Sequence, residues 1–342
     1  YTEFVYDFSA GGSKRMAIGI GIIGYGNVGK GVEAALPFYT DMELTGIFTR
    51  RDPGDIRPLT PAPVYALDQL DSLEKKPDVL ILCTGSATDL PRMTPALAEK
   101  YCVVDSFDTH ANIPGHFAAV NEAALRGHTA ALISAGWDPG LFSMARLLGR
   151  CVLPQSRCET FWGRGVSQGH SDAIRRIPGV KDARQYTVPV RAALEAAKKG
   201  EAGDLTPRQK HTRECYVVLE EGADPEAVAQ AIITMPHYFD EYDTSVTFIT
   251  EEEMLARHGA MPHAGEVLRH GITGADGKQT AFVGFEVAMD SNPQFTGSIL
   301  LAFARGVYRF YREGRTGCFT AFDMPLSALS PMSREKLLST ML

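Results

Sequence analysis

The chain has no Cys-x-x-Cys pair, no His-Glu-x-x-His and no cluster of cysteine with histidine, so a zinc site has no ligands to build on. Its six cysteines (83, 102, 151, 158, 215 and 318) are scattered without a disulfide-like spacing, which fits free thiols in a reducing cytoplasm. No serine or cysteine sits in a nucleophile-elbow sequence, and covalent hydrolase chemistry is left without its nucleophile. No apolar run reaches the ~18 residues that cross a bilayer. There is no basic block and the net charge is −7, which excludes nucleic acid and anionic membrane as natural partners. Internal repeats and low-complexity tracts are absent too. What is present is an ordinary globular composition, 44% hydrophobic and 22% charged, over 342 residues. That length suits about two domains at ~150 residues each. Glycine, at 33 residues, is the abundance that asks for a reason.

The reason lies near the start. Gly24, Gly26 and Gly29 form G-x-G-x-x-G directly after an apolar run, with a helix pattern over 27–36 stopped by Pro37. This is the signature of a strand turning into a helix whose N-terminus faces a pyrophosphate. Gly24 permits the turn, Gly26 the close backbone approach and Gly29 the helix–strand packing. Tyr25, Asn27 and Val28 complete the turn. A second strand over 42–48 ends in Thr49, Arg50 and Arg51, where an NAD enzyme usually carries a carboxylate. Arginine forks suit a 2′-phosphate instead, so the pattern predicts NADP. Asp52 follows immediately and keeps NAD open. The alternative reading, a glycine-rich hairpin without ligand, does not explain the strand–turn–helix order.

Residues 14–23 imitate a signal peptide, with Lys14 and Arg15 before an apolar stretch. That stretch runs straight into the glycine motif, so cleavage would remove the first strand. Met16 reads as a natural start, and residues 1–15 as an extension or an expression-vector remnant. Further strands are expected over 78–83, 102–105 and 130–134, with helices over 95–101, N-capped by Thr94, and 114–126, stopped by Gly127. The succession predicts a Rossmann-type, doubly wound parallel α/β sheet over 16–137. After Gly136-Trp-Asp-Pro-Gly the texture changes to half-buried strands (159–162, 184–189, 214–219, 244–249, 280–290) with helices over 192–199, 225–234 and 251–257. These predict a second, α+β domain over 138–290, for substrate and dimerisation. A last long helix over 295–313 is expected to return with 291–342 to the first domain.

Ligands of an open parallel sheet sit beyond the carboxyl ends of its strands. Thr84, Gly85, Ser86, Ala87, Thr88 and Asp89 follow one strand and offer hydroxyls and amides to the cofactor. Asp108 and Asp138 follow two others. They can bind an ammonium group or accept a proton; equally, Asp138 before Pro139 is a good turn residue, and local sequence does not decide. The glycine-rich stretch 160–172 reads as a polar loop around Trp162 able to hold an anion, with His170 as a hydrogen-bonded strut. Arg213 lies in a basic run, 208–213, of the kind usually solvated, and His263 reads as a satisfied loop histidine.

With these residues assembled, the chain resembles the meso-diaminopimelate D-dehydrogenase family from about Ile18 to Ser330. The resemblance rests on Gly-Tyr-Gly-Asn (24–27), Gly-Ile-Phe-Thr-Arg-Arg (46–51), Gly-Ser-Ala-Thr-Asp (85–89), Gly-Trp-Asp-Pro-Gly (136–140), Phe-Trp-Gly (161–163), Ser-Gln-Gly-His-Ser-Asp-Ala (167–173), Arg-Arg-Ile-Pro-Gly-Val (175–180), Gly-Glu-Ala-Gly-Asp-Leu-Thr (200–206) and Met-Pro-His (261–263). It implies an NADP-dependent, cytoplasmic, homodimeric enzyme of lysine biosynthesis that deaminates the D-centre of meso-diaminopimelate. It implies that Asp108 and Asp138 bind the reacting amine, and that Trp162, Ser167, Gln168 and Gly169 hold the D-side. Thr187, Arg213, His263 and Asn292 would read the distal L-amino-acid end, with Arg213 as a carboxylate clamp. Thr84 and Val166 depart conservatively from the family pattern. A D-amino-acid dehydrogenase of broader specificity, another reductase of the aspartate pathway and a non-catalytic NADP sensor stand as the alternatives.

Overall fold

The computed structural model describes residues 17–342, so the reading of residues 1–15 as an extension lies outside them. The chain divides into two compact units. The first takes the chain up to Ile133 and returns over Leu300–Phe319 and Met324–Leu342; the second takes Ser134–Ile299 and Thr320–Asp323.

The first unit is a parallel sheet. Its strands are β1 (Ile18–Ile23), β2 (Met42–Thr49), β3 (Val64–Ala66), β4 (Val79–Leu82), β5 (Cys102–Asp105) and β6 (Ala130–Leu132). The strand Gly317–Phe319 adds to the far edge beside β6, giving the order Gly317–Phe319, β6, β5, β4, β1, β2, β3. Every pairing is parallel. Strands β1, β4 and β5 are buried at every position, as both faces of such a sheet must be. Leu80, Leu82, Val103, Phe48 and Phe107 fill the core with Val120 and Ala124 from a helix. Each such side chain contributes about 1.5–3 kcal/mol by leaving water. Helices α1 (Asn27–Ala35), α2 (Leu90–Ala98) and α3 (Ile113–Gly127) lie between the strands in sequence. This is the Rossmann-type architecture expected.

Two local expectations are corrected. Helix α2 starts at Leu90, with Pro91 in its first turn, and not after Thr94. Thr94 is buried inside it, and its hydroxyl donates to Asp105 Oδ2 at 2.8 Å rather than capping. Helix α3 runs through Gly127; the left-handed residue that ends it is His128, with φ 52°. Gly127 is needed for another reason: a Cβ there would stand 2.0 Å from the carbonyl oxygen of Glu99.

The second unit carries two sheets. The strands are β7 (Ser156–Trp162), β8 (Gly165–Val166), β9 (Val180–Pro189), β10 (His211–Leu219), β11 (Asp243–Phe248), β12 (His263–Thr273) and β13 (Gln279–Met289). The mixed sheet has the order β11-β10-β9-β8 and the antiparallel one β13-β12-β7. Strand β12, absent from the sequence expectation, is the centre of the antiparallel sheet. Helices α4 (Phe142–Val152), α5 (Gln168–Arg175), α6 (Arg191–Lys199), α7 (Pro207–Lys210), α8 (Pro225–Ile233) and α9 (Glu251–His258) complete the unit. Gly200 ends α6 with φ 74°, Asp224 caps α8, and Thr250 with Glu253 forms the capping box of α9. The long helix α10 (Asn292–Arg312) begins in the second unit and belongs to the first from Leu300 on. Among the described residues, no helix is long and apolar enough to cross a membrane.

Candidate active site

The turn from β1 into α1 separates the three glycine roles. Gly24 has φ +86°, which a side chain would strain, and a Cβ would press on Thr84 at 2.7 Å. A Cβ on Gly29 would stand 2.3 Å from the Gly24 carbonyl, so that glycine serves packing. Gly26 is different. Its φ is −92° and a Cβ there meets nothing within 4 Å. Neither conformation nor packing demands glycine, which leaves room for a ligand group against the backbone. Helix α1 has no side-chain N-cap and no acid in its first turn, so the positive end of its dipole faces that room.

A cavity of about 230 Å³ opens here, lined by Gly24, Tyr25 and Gly26, by Thr49, Arg50 and Arg51 at the end of β2, and by Thr84 and Asp89 after β4. Asn27, Val28 and Gly29 form the first turn of α1. Arg50 makes a bidentate ion pair with Asp89, at 2.7 and 2.9 Å. Arg51 donates to the Tyr25 carbonyl at 3.0 Å. The donor set, an open helix N-terminus with two guanidinium groups at the rim, fits a dinucleotide carrying an extra phosphate. Gly85, Ser86, Ala87 and Thr88 lie outside the lining. The Ser86 hydroxyl donates to Asp108 Oδ1 at 2.5 Å and accepts from the Asp108 amide at 2.9 Å.

The second unit gathers the remaining expected residues. Asp138 is no turn cap. Its carboxylate, 6% exposed, accepts from Arg146 and, at 2.8 Å, from the Trp162 indole N–H. The Trp162 amide in turn donates to His211 Nε2 at 2.9 Å. The stretch 160–172 is not a loop. It comprises the end of β7, strand β8 and the start of α5, with Ser167 as the N-cap whose hydroxyl accepts from the His170 amide and meets His170 Nδ1 at 2.7 Å. Gln168 and Gly169 form the first turn of α5, and a Cβ on Gly169 would meet nothing within 4 Å. His170 is therefore a strut, but on a helix.

Arg213 is the largest departure from the solvated basic run. Only Arg208 and its neighbours before the strand are surface; Arg213 sits inside β10, 7% exposed, opposite Thr187 of β9. It donates to the Thr187 hydroxyl and stacks 3.9 Å over the Tyr242 ring. Among the described residues no carboxylate pairs with it. A buried cation to which the described residues offer no anion can accept one from a ligand. His263 is not in a loop: it opens β12, buried against Gly165, where a Cβ would meet its ring at 2.3 Å, and its ring packs on Trp137 at 4.6 Å. Gly165 pairs with Thr187, so His263, Thr187 and Arg213 flank one segment of chain. Asn292 accepts from the Trp137 indole at 3.1 Å.

Sequence reasoning missed Trp137, Arg146, His211 and Tyr242 as parts of this site. Trp137 had a signal, its place in Gly-Trp-Asp-Pro-Gly. The other three are brought in by strand register and helix docking, which no local pattern records.

Three imidazoles in this unit are held neutral. Burial, with the positive charge of Arg213 next, pushes His170 down to about 4. Burial, then Arg213 and Lys210, does the same to His211. Burial lowers His263 as well. The folded state therefore binds fewer protons than the unfolded chain between pH 6.5 and about 4, and stability falls as pH falls through that window. His170 and His211 each contribute up to about 3 kcal/mol to the loss, at about 1.4 kcal/mol per unit. Urea midpoints measured from pH 7 to 4.5 are expected to drop steeply below 6.5, and less steeply for His211→Gln.

The fold and the two sets of residues define a dinucleotide-dependent oxidoreductase with a second unit apt for an anionic substrate. Residues 136–291 match the family described as diaminopimelic acid dehydrogenase C-terminal domain. The meso-diaminopimelate D-dehydrogenase of Ureibacillus thermosphaericus is 53% identical over 320 residues, 94% of this chain and 98% of that protein. The solved Corynebacterium glutamicum DAP dehydrogenase in complex with DAP aligns with a TM-score of 0.89 at 43% identity, over 96% of this chain and 100% of that one. An engineered D-amino acid dehydrogenase bound to NADP⁺ aligns with a TM-score of 0.85 at 42% identity, over 95% and 100%. The chain belongs to the meso-diaminopimelate D-dehydrogenase family.

Proposed function

We propose that this enzyme catalyses the reversible, NADP-dependent oxidative deamination of the D-centre of meso-2,6-diaminopimelate, giving L-2-amino-6-oxopimelate and ammonia. The observation that carries the reading is Arg213, a buried guanidinium without a carboxylate partner among the described residues, beside the neutral Thr187 and His170. A substrate with a second carboxylate far from the reacting carbon supplies what is missing.

When bound, NADP⁺ accepts the hydride that leaves the D-carbon. The substrate ammonium must lose a proton first, so that the nitrogen lone pair can form the C=N bond as the C–H pair departs. Asp138 and Asp108 are assigned to that amine. Asp138 is fixed by Arg146 and Trp162, and Asp108 by Ser86, so each carboxylate is held by its own unit. Water then adds to the imine and ammonia leaves. Trp162, Ser167, Gln168 and Gly169 are assigned to the D-end carboxylate, and Arg213, Thr187, His263 and Asn292 to the distal end. The protein activates no nucleophile; fixed positions and charges carry the catalysis.

The domain reading of one nucleotide unit and one substrate unit is part of this proposal. So is a homodimer formed through the second unit, supported by Ile272, Phe282 and Phe285, apolar and exposed on the antiparallel sheet. A cytoplasmic role in lysine biosynthesis follows from the substrate.

The test is NADPH formation from NADP⁺ with the meso, LL and DD isomers, beside NAD⁺. Turnover with meso and NADP⁺ and little with LL is expected. Binding of NADPH without turnover on any amino acid would overturn the reading and favour a sensor.

A further inference from the structure

One buried acid plays no part in the chemistry above. Glu33 lies on α1, 1% exposed, a turn past the glycine motif. Its carboxylate is fully subscribed. The Tyr25 hydroxyl donates to Oε2, the Leu59 amide to the same oxygen at 3.1 Å, and the Thr60 amide and hydroxyl to Oε1 at 2.8 and 2.6 Å. The Leu59 amide also reaches the Tyr25 hydroxyl at 3.1 Å. Burial would raise this acid, but the bonds from Thr60 and Tyr25 hold its carboxyl below the usual range, so it stays charged.

The placement gives the network its meaning. Tyr25 is the residue between Gly24 and Gly26, and its carbonyl accepts from Arg51. Leu59 and Thr60 belong to the segment that leaves Arg50 and Arg51 and turns toward β3. One carboxylate thus ties the turn at the helix N-terminus to the segment downstream of the two arginines, and the turn and the arginines line the same cavity. A charge-assisted knot of this kind is stiff, because each carboxylate oxygen takes two donors and the acid itself is buried.

We propose that Glu33, acting through Tyr25, is a positioning residue that sets the preference for a 2′-phosphorylated dinucleotide by holding Arg51 in register with the glycine turn. The proposal rests on the NADP reading. Glu33 itself does not line the cavity; it acts through Tyr25 and Arg51, which do, and the predicted effect is confined to the 2′-phosphate. A plain brace would weaken every nucleotide together.

The test is calorimetric binding of adenosine 2′,5′-bisphosphate and of 5′-AMP to the full-length protein and to Tyr25→Phe and Glu33→Gln. The wild type is expected to prefer the bisphosphate. In both variants the bisphosphate is expected to weaken by about tenfold, the worth of one or two lost hydrogen bonds, with 5′-AMP changed by less than about twofold. If the two ligands weaken in parallel, or neither changes, Glu33 is no selectivity residue and the NADP reading still stands. If the wild type itself shows no preference, that reading fails and the proposal with it. Should Glu33→Gln fold poorly, Tyr25→Phe decides alone, since it removes a single hydroxyl and leaves Thr60 and Leu59 on the carboxylate.

Discussion

Arg213→Ala is expected to raise the KM for meso-diaminopimelate by at least about a hundredfold, with the KM for NADP⁺ nearly unchanged. The magnitude follows from what the substitution removes. A buried guanidinium–carboxylate pair, broken from one side, costs about 2–5 kcal/mol, and 1.4 kcal/mol is tenfold in affinity. The side chain is 7% exposed, so water cannot stand in for it. The protein itself is expected to lose little. Among the described residues Arg213 has no carboxylate partner, burial already pushes its pKa down, and its removal strands no opposite charge. A melting temperature close to wild type beside a large KM effect would be the signature of a substrate clamp. The control is a D-amino acid without a distal carboxylate. Its kcat/KM is expected to be indifferent to the substitution, and an equal fall on both substrates would remove Arg213 from the distal end.

The contrast between Arg213 and the glycine motif marks what sequence can and cannot tell. The motif is local: six residues specify a turn, and the strand before it and helix after it carry their own patterns. Strands β4 and β5 were legible for the same reason, as continuous apolar runs. Arg213 looked like surface because its neighbours in the chain are charged, and only pairing with Thr187, 26 positions earlier, buries it. Strand β12 was invisible because it carries two glycines and two charged residues where alternation should be. Its Gly265 makes room for Phe142, and its Arg269 reaches Ser156 and the Arg146 carbonyl. The aspartate at 138 was ambiguous on local grounds, and the partners that hold its carboxylate lie 8 and 24 residues away. The rule is physical: what a residue does with its near neighbours is written in the chain, and what it does across a sheet is written in the register.

Arg51→Glu is expected to weaken NADP(H) by about a hundredfold or more and NAD(H) by only a few-fold, measured as dissociation constants by NADPH and NADH fluorescence. The substitution removes a charge-assisted donor, worth about 1.5–3 kcal/mol, and adds a like charge facing the 2′-phosphate. For NAD the same carboxylate can accept from the ribose 2′-hydroxyl, as acids at this position do in NAD-binding sheets. The neighbour is the internal control. Arg50 is 56% exposed and already paired with Asp89, whose carboxyl it holds below the usual range, so Arg50→Ala is expected to cost less. Among the described residues Arg51 has no such acid; its fixed contact is the Tyr25 carbonyl, which aims it along the glycine turn rather than away from it. The order is checked at matched charge with Arg51→Ala beside Arg50→Ala, each removing one positive charge from the same rim; a larger loss for Arg51→Ala then reports geometry and not net charge. Equal losses for NADP and NAD would show that Arg51 supports the turn and does not read the phosphate.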